Sequence, residues 1–401
     1  MADPDYTATR SASKSGQPLT IMQVVPRLEM GGVERGTLEI AEAIVAAGGR
    51  ALIVTRGGQL EFRIQRAGGE IVYMNVDSKN PATLWQNARL MRRLIRDEGV
   101  DVVHARSRAP AWSAYWATRQ TGTPFVTTYH GTYNEEFPLK RAYNSIMAKG
   151  NPVIAISDFI RKLVIERHRV PEDQVVTIPR GADIAVFAEE AVGNERTIKL
   201  AEQWGIIEDP RAIVMMPGRL TRWKGGESMI EAAARLKDMR GSDFQVLLVG
   251  DETESGFQDV LEKKIAQMGV ADVVFLTGGV QDMAAAYKLS SVVVSASIEP
   301  EAFGRVVVEA QAMGRPVIAT AHGGARETVS HGESGWLYPP GDAEVLAATI
   351  HQALEMEPSA RAHMGLAGRA RIHTSYTIGA MQRATLSVYE SVAGRTFQVF
   401  S

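Results

Sequence analysis

Short runs of β-branched and other apolar residues alternate with longer segments of helical period from about residue 20 to about residue 390. That alternation is the pattern of parallel strands joined by crossover helices. The first half places strands at 20–25, 51–55, 70–76, 101–105, 125–129, 153–157 and 175–178. The second half places them at 212–216, 244–249, 273–276, 292–295, 316–319 and 336–338. Between the two sets, 181–210 is polar with a helical period at 196–204, and the domain junction is expected there. Three helical segments, 343–356, 359–374 and 378–392, close the chain, and no strand follows the last. The pattern therefore predicts an α/β protein with a polar tail over 1–18, one doubly wound domain over 19–190 and a second over 191–376. Such sheets bind ligands beyond the carboxyl ends of their strands. The chemistry is accordingly sought in loops that follow strands.

Composition narrows the class. With 401 residues, 45% of them hydrophobic and 22% charged, the chain is long enough for two cores. Cysteine is absent, which excludes disulfides, thiolate metal sites and cysteine nucleophiles. No apolar run approaches the roughly 18 residues of a membrane span. The first 18 residues are polar and lack the apolar core of a secretory signal, so a cytoplasmic location is expected. A net charge of −2 gives no reason to expect nucleic acid as a partner.

Five loops carry candidate chemistry. After the first strand, Gly31 and Gly32 precede an amphipathic helix over 33–47. Glycines let backbone approach a ligand, and a helix start offers free N–H groups to an anion, although a plain tight turn reads the same way. The spacing is not that of the dinucleotide fingerprint. After the fifth strand, His130 follows Tyr129 and precedes Gly131. His104 also ends a strand, followed by Arg106 and Arg108, which could bind an anionic acceptor or simply be solvated. The second half opens with a strand followed by 217–226, where Arg219 and Lys224 place a guanidinium and an ammonium beside glycines, suited to adjacent phosphates. No Ser or Thr follows Lys224, so this is not a P-loop. In 295–309, Glu301 precedes a helix opened by Gly304, and Glu309 stands eight residues on, about 12 Å along an unbroken helix. Val306, Val307, Val308 and Ala310 around Glu309 argue against a merely solvated carboxylate.

This ordered set, with two glutamates eight apart in a Glu-x-Phe-Gly setting, Gly-Arg-Leu through Lys-Gly, the early Gly-Gly and the Tyr-His-Gly strand end, resembles family four of the retaining, nucleotide-sugar-dependent glycosyltransferases. The likeness spans about residues 20–390. It implies the GT-B architecture, two Rossmann-like domains across a cleft, with the segment 377–401 crossing back to the first domain. It further implies that Arg219 and Lys224 bind the donor diphosphate beside the Gly31 and Gly32 backbone, and that Glu309 takes the ribose hydroxyls. Glu301 and the backbone N–H groups of Phe303 and Gly304 would hold the donor sugar, His130 would face it from the other domain, and the loop 277–280, ending at Val280, would flank the base. Arg180 stands where relatives commonly have Asn, and no catalytic task is assigned to its loop.

The implied reaction retains configuration and needs no cofactor. Metal has no nameable ligands, since the lone Asp-x-Asp, Asp3 to Asp5, lies in the tail. The partners expected are a nucleotide-sugar donor and a glycan, lipid-linked or small-molecule acceptor, with bacterial lipopolysaccharide or a related envelope glycan as the pathway. A nucleotide-sugar epimerase on the same fold and a non-catalytic sugar-nucleotide-binding protein are the competing readings. Arg89, Arg93 and Arg96 share one helix face, with Leu90, Met91, Leu94 and Ile95 expected on the apolar side and Lys140 and Arg141 as further cations. That face is either solvated or a peripheral contact with anionic lipid.

Overall fold

The computed structural model describes residues 17–29 and 31–398, so the expected tail, beyond Gln17 and Pro18, and the Asp3 and Asp5 pair lie outside the described residues. The thirteen expected strands all form. The first seven are β1 (Thr20–Val24), β2 (Arg50–Thr55), β3 (Glu70–Tyr73), β4 (Val102–Ala105), β5 (Phe125–Tyr129), β6 (Val153–Ala155) and β7 (Val175–Thr177). The other six are β8 (Ala212–Pro217), β9 (Phe244–Val249), β10 (Val274–Gly278), β11 (Val292–Ser295), β12 (Val317–Thr320) and β13 (Gly335–Tyr338). Central strands such as β1, β4 and β9 are buried at every residue, as expected of strands covered by helices on both faces. The strand expected over 70–76 stops at Tyr73. It pairs with β2, whose last residue, Thr55, lies opposite Tyr73, so there is no ladder to continue.

The strands form a seven-stranded sheet in the order β3-β2-β1-β4-β5-β6-β7 and a six-stranded sheet in the order β10-β9-β8-β11-β12-β13. The described pairings are parallel, β1 with β4 and β8 with β11 among them. In both sheets the direction of winding reverses once, between β1 and β4 and between β8 and β11. At such reversals the loops diverge to opposite faces and leave a crevice. The loops of Gly31 and Gly32, of Arg106 and Arg108, of Arg219 and Lys224 and of Glu301 follow strands at these points, that of His130 follows β5 beside β4, and that of Val280 follows β10 at a sheet edge. Among the described residues no helix is long and apolar enough to cross a membrane.

Two compact units are distinguished. One contains the described residues up to Val126 together with those from Leu386 on; the other is Thr127–Thr385. In the second unit the sheet core of Phe244, Val246 and Leu248 is covered by Ile230 and Leu236 of helix Gly226–Arg240 and by Leu346 and Ile350 of helix Ala343–Glu355. In the first, the interior is partly polar. Gln23 on β1 accepts at Oε1 from Arg106 Nε at 2.6 Å and donates from Nε2 to the Thr37 carbonyl at 3.1 Å. Tyr389, on the last helix, Ile378–Ala393, sits with its hydroxyl 2.6 Å from His104 Nδ1. Burial pushes that phenol's pKa up, against the opposing pull of the Arg106 guanidinium.

Two expectations about this unit are corrected. Arg106 is 2% exposed and belongs to the buried network, not to an acceptor surface. It continues the alternation of β4 two residues after His104, so both side chains enter the same interior layer. Leu90 does not lie on the apolar side of helix Pro81–Asp97. The buried stripe is Leu84, Asn87, Ala88, Met91 and Ile95, and Leu90 is 41% exposed among the arginines. At 100° per residue the i, i+4, i+7 series of 84, 88, 91 and 95 points one way, and position 90 falls outside it.

The docking of Tyr389 gives a first prediction. Tyr389→Phe, which keeps the ring and removes the hydroxyl, lowers stability by about 1 kcal/mol, whereas Tyr389→Ala costs about 3–5 kcal/mol through the cavity. Urea unfolding followed by tryptophan fluorescence checks both; equal effects would mean that the hydroxyl, not the packing, holds the helix.

Candidate active site

The loops that follow β8 and β11 meet at the reversal of the six-stranded sheet. Ile298 N donates to the Trp223 carbonyl at 2.8 Å. Gly225 has φ 79°, and a Cβ there would overlap the Ala296 carbonyl oxygen, so this close approach requires glycine. The joint brings two candidate residues together. Lys224 Nζ lies 2.6 Å from Glu301 Oε1, with each side chain 14% exposed. Ser297 Oγ donates to the same Oε1 at 2.5 Å and Ser295 Oγ at 3.4 Å. Burial by itself pushes the Glu301 carboxyl up; the Lys224 ammonium and the two hydroxyls outweigh it and hold the group below the usual carboxylate range.

The backbone of the Glu301 loop is clamped from two directions. Gly324 N donates to the Glu301 carbonyl at 2.9 Å, and Ser157 Oγ donates to the Ala302 carbonyl at 2.6 Å. A Cβ on Gly323 would overlap the Glu301 backbone, and one on Gly324 would lie 2.6 Å from the Phe303 Cα, so the turn after β12 can pack here only as a glycine pair. Phe303 is buried, its ring centroid 5.8 Å from that of Tyr376. Gly304 caps the following helix, Arg305–Ala312, with φ 84° and ψ 64°. Residues 301–304 are therefore not helical, and the spacing of an unbroken helix does not apply between Glu301 and Glu309. Glu309 is 6% exposed; Tyr287 Oη donates to its Oε2 at 3.2 Å, and Arg305 Nε lies 3.5 Å from its Oε1. This carboxylate is buried on an apolar helix and satisfied by a phenol and a guanidinium.

Arg219 is exposed and lines a small cleft with Gly218, Thr221, Lys224, Gly226 and Phe257. Val280 is half-buried just after Gly279, whose N–H donates to Asp251 Oδ1 at 2.8 Å. His130 is half-buried, and Arg180 Nη2 lies 2.7 Å from its Nδ1. Gly31 and Gly32 belong to the other unit. Gly31 is extended at φ −152°, and a Cβ on Gly32 would meet no atom within 4 Å, so neither local strain nor local packing demands glycine at these positions. Arg108 is half-buried at the start of helix Arg108–Thr121.

Several supporting residues escaped the sequence reading. Gly323 and Gly324 follow a strand just as Gly31 and Gly32 do, and that signal was available. Ser157, Ser295 and Ser297 carry no local signature, because a hydroxyl's role depends on which carbonyl or carboxylate the fold brings to it. Arg180 was visible only as a departure.

The Glu301 environment generates a second prediction. A carboxyl whose folded pKa is depressed contributes stability that is present above its unfolded value and lost as pH falls through the folded one. The difference in unfolding free energy between the wild type and Glu301→Gln is therefore constant from pH 8 to about pH 5.5 and shrinks below the reference value of 4.5. Denaturant titrations at four pH values measure it; a difference that grows on acidification would contradict the assignment.

Comparison with known proteins assigns the chain to a family and a fold. The model of Glycosyltransferase Family 4 matches residues 30–186, and that of Glycosyl transferases group 1 matches residues 198–371. A glycosyltransferase from Rickettsia africae of known structure is 36% identical with a TM-score of 0.86, over 94% of this chain and 99% of its own. The N-acetyl-alpha-D-glucosaminyl L-malate synthase of Bacillus anthracis is 26% identical over 350 residues, 83% of this chain and 86% of its own. Anabaena HepE, solved in complex with UDP-glucose, shares the fold at 23% identity and a TM-score of 0.80, over 93% of this chain and 100% of its own. With both halves matched in order and the two reversed parallel sheets in place, the chain belongs to the group 1 glycosyltransferases of family four and has the GT-B fold.

Proposed function

We propose that this glycosyltransferase moves a sugar from a nucleoside-diphosphate sugar to an acceptor hydroxyl with retention of configuration. The observation that carries the reading is the contact between Lys224 and Glu301 at the winding reversal. A cation for phosphate and a carboxylate for sugar hydroxyls are needed side by side, because the two parts of the donor are covalently joined. On donor entry Lys224 exchanges Glu301 for the diphosphate oxygens, with Arg219 beside it, and the released Glu301 oxygen accepts from sugar hydroxyls. Glu309 takes the ribose hydroxyls, and Val280 flanks the base. The acceptor oxygen attacks the anomeric carbon on the face from which the diphosphate leaves. The anomeric C–O bond breaks, and the leaving phosphate takes the acceptor's proton. Arg219 and Lys224 stabilise the charge that grows on it, which is the task a metal would otherwise perform. Such electrostatic contacts are worth about 10²-fold or more in rate each.

The acceptor is proposed to be lipid-linked, in synthesis of lipopolysaccharide or another envelope glycan at the inner face of the cytoplasmic membrane. Supporting this, helix Pro81–Asp97 exposes Arg89, Arg93 and Arg96 together with Leu90 and with Trp85, which is 59% exposed. The Arg89 guanidinium carbon stands 4.8 Å from the Trp85 ring centroid. Exposed aromatic and aliphatic groups among cations suit the headgroup region of an anionic bilayer.

The donor reading predicts that Arg219→Ala and Lys224→Ala each weaken nucleoside diphosphate binding by about tenfold or more. Glu309→Ala weakens it too, whereas Glu301→Ala lowers turnover while leaving that affinity nearly unchanged. Calorimetry and coupled release assays, starting from UDP-glucose, check this; Glu301→Ala and Glu309→Ala acting alike on nucleoside diphosphate affinity would overturn the assignment. Release of free nucleoside diphosphate only on addition of an acceptor separates transfer from epimerisation. The membrane reading predicts sedimentation with anionic liposomes at low salt, its loss at high salt, and its loss when Arg89, Arg93 and Arg96 are replaced by Glu. Protein remaining in the supernatant at low salt would leave a soluble acceptor.

A further inference from the structure

We propose that Arg180 is a positioning residue that holds His130 in one neutral tautomer, with its proton on Nε2, so that the ring can act only as a hydrogen-bond donor. Arg180 is 5% exposed, and its Nη2 lies 2.7 Å from His130 Nδ1. A guanidinium keeps its protons at any physiological pH and has no acceptor, so it must donate in this contact. Nδ1 is then the acceptor. Both the imidazolium and the Nδ1–H tautomer would set N–H against N–H and are excluded, which leaves Nε2–H. Arg180 comes from the segment after β7, and on the loop of His130 itself the Tyr133 hydroxyl is 3.5 Å from the His130 backbone N. Helix Ile378–Ala393 presents Met381, whose sulfur is 3.6 Å from Arg180 Nη1.

The segment that carries Arg180 is itself fixed. Ala182 N donates to the Tyr376 carbonyl at 2.9 Å, and Ile378 N donates to the Ala182 carbonyl at 3.0 Å. A Cβ on Gly181 would overlap the Thr377 backbone, so the strap runs flush against that chain. The guanidinium is thus anchored by backbone, and the imidazole is oriented by the guanidinium. Resting on the glycosyl-transfer reading above, this means that His130 does not take the acceptor's proton. Its Nε2–H, buried in this structure, is the one proton the ring can donate, and the leaving phosphate remains the base.

The test uses the full chain labelled with ¹⁵N-histidine and long-range ¹⁵N–¹H correlation at pH 6, with the His130 signals identified by their loss in His130→Gln. An unperturbed histidine of pKa about 6.5 is roughly three parts imidazolium to one part neutral at that pH. The wild type is expected to show neutral His130 with its proton on Nε2. Arg180→Met is expected to show mostly imidazolium, and Arg180→Gln, which keeps a polar group without the charge, shows the same and replaces the Met variant if that one does not fold. Arg180→Lys retains a cationic donor and is expected to keep the wild-type signature. Imidazolium or the Nδ1–H form in the wild type, or identical spectra in the wild type and the Arg180→Gln variant, would overturn the proposal. In turnover, Arg180→Gln is expected to lower kcat by about tenfold or more while the Kd for nucleoside diphosphate changes less than twofold, with partial rescue in Arg180→Lys. Unchanged kcat together with a shifted tautomer would equally overturn the positioning role. The spectra do not depend on catalysis, so a wild type with the Nε2–H signature and no transfer from any nucleotide sugar would defeat the glycosyl-transfer reading and leave the Arg180–His130 contact standing.

Discussion

The ion pair between Lys224 and Glu301 is the constraint around which the second unit is organised. Its partners come from loops after β8 and β11, adjacent strands that the winding sends in opposite directions. Two largely buried charges survive only when each satisfies the other, and removing one leaves an uncompensated charge that typically costs about 3–5 kcal/mol. The pair therefore ties two loops that would otherwise diverge. It also keeps a cation and an anion pre-positioned where the proposed donor presents phosphate and sugar.

The surroundings make that arrangement rigid. Gly225 lets the first loop lie against Ala296, the Gly323–Gly324 turn lies against the Glu301–Phe303 backbone, and Ser157 bonds the Ala302 carbonyl. Phe303 turns its side chain inward. None of these residues needs to touch a substrate to matter, since a reacting group displaced by 1 Å loses much of its effect. In the first unit the buried polar layer of Gln23, His104, Arg106 and Tyr389 plays a comparable part, because directional hydrogen bonds in the interior specify one arrangement of the elements that contribute to them.

The site combines two kinds of electrostatic control. Glu301 is held below the usual carboxylate range by Lys224 and two hydroxyls despite burial, Glu309 is bonded by the Tyr287 hydroxyl and faced by Arg305, and both are acceptors. His130, with Arg180 on its Nδ1, is a donor. A glycosyl donor offers hydroxyls to the former and ring or hydroxyl oxygens to the latter, so polarity and not acid–base strength is what these side chains contribute.

Much of this was legible in the sequence. The alternation of apolar runs with helical periods located all thirteen strands, because strand period and helix amphipathicity are local properties of the chain. Loops after strands pointed to Arg219, Lys224, Glu301 and His130, and the valines beside Glu309 marked it as buried, as it is. What the sequence could not determine is which strands lie side by side, and hence which of those loops meet. Lys224 and Glu301 are 77 residues apart, and His130 and Arg180 are 50 apart. Arg106 looked like a surface cation because burial at a strand end depends on what packs above it, here a helix nearly 285 residues later that brings Tyr389 to His104. Leu90 looked like core because one arginine-rich face leaves its rotation ambiguous until the stripe that packs is known. Local periodicity decided the elements; strand order, with the winding reversal of the six-stranded sheet, decided that Lys224 and Glu301 meet.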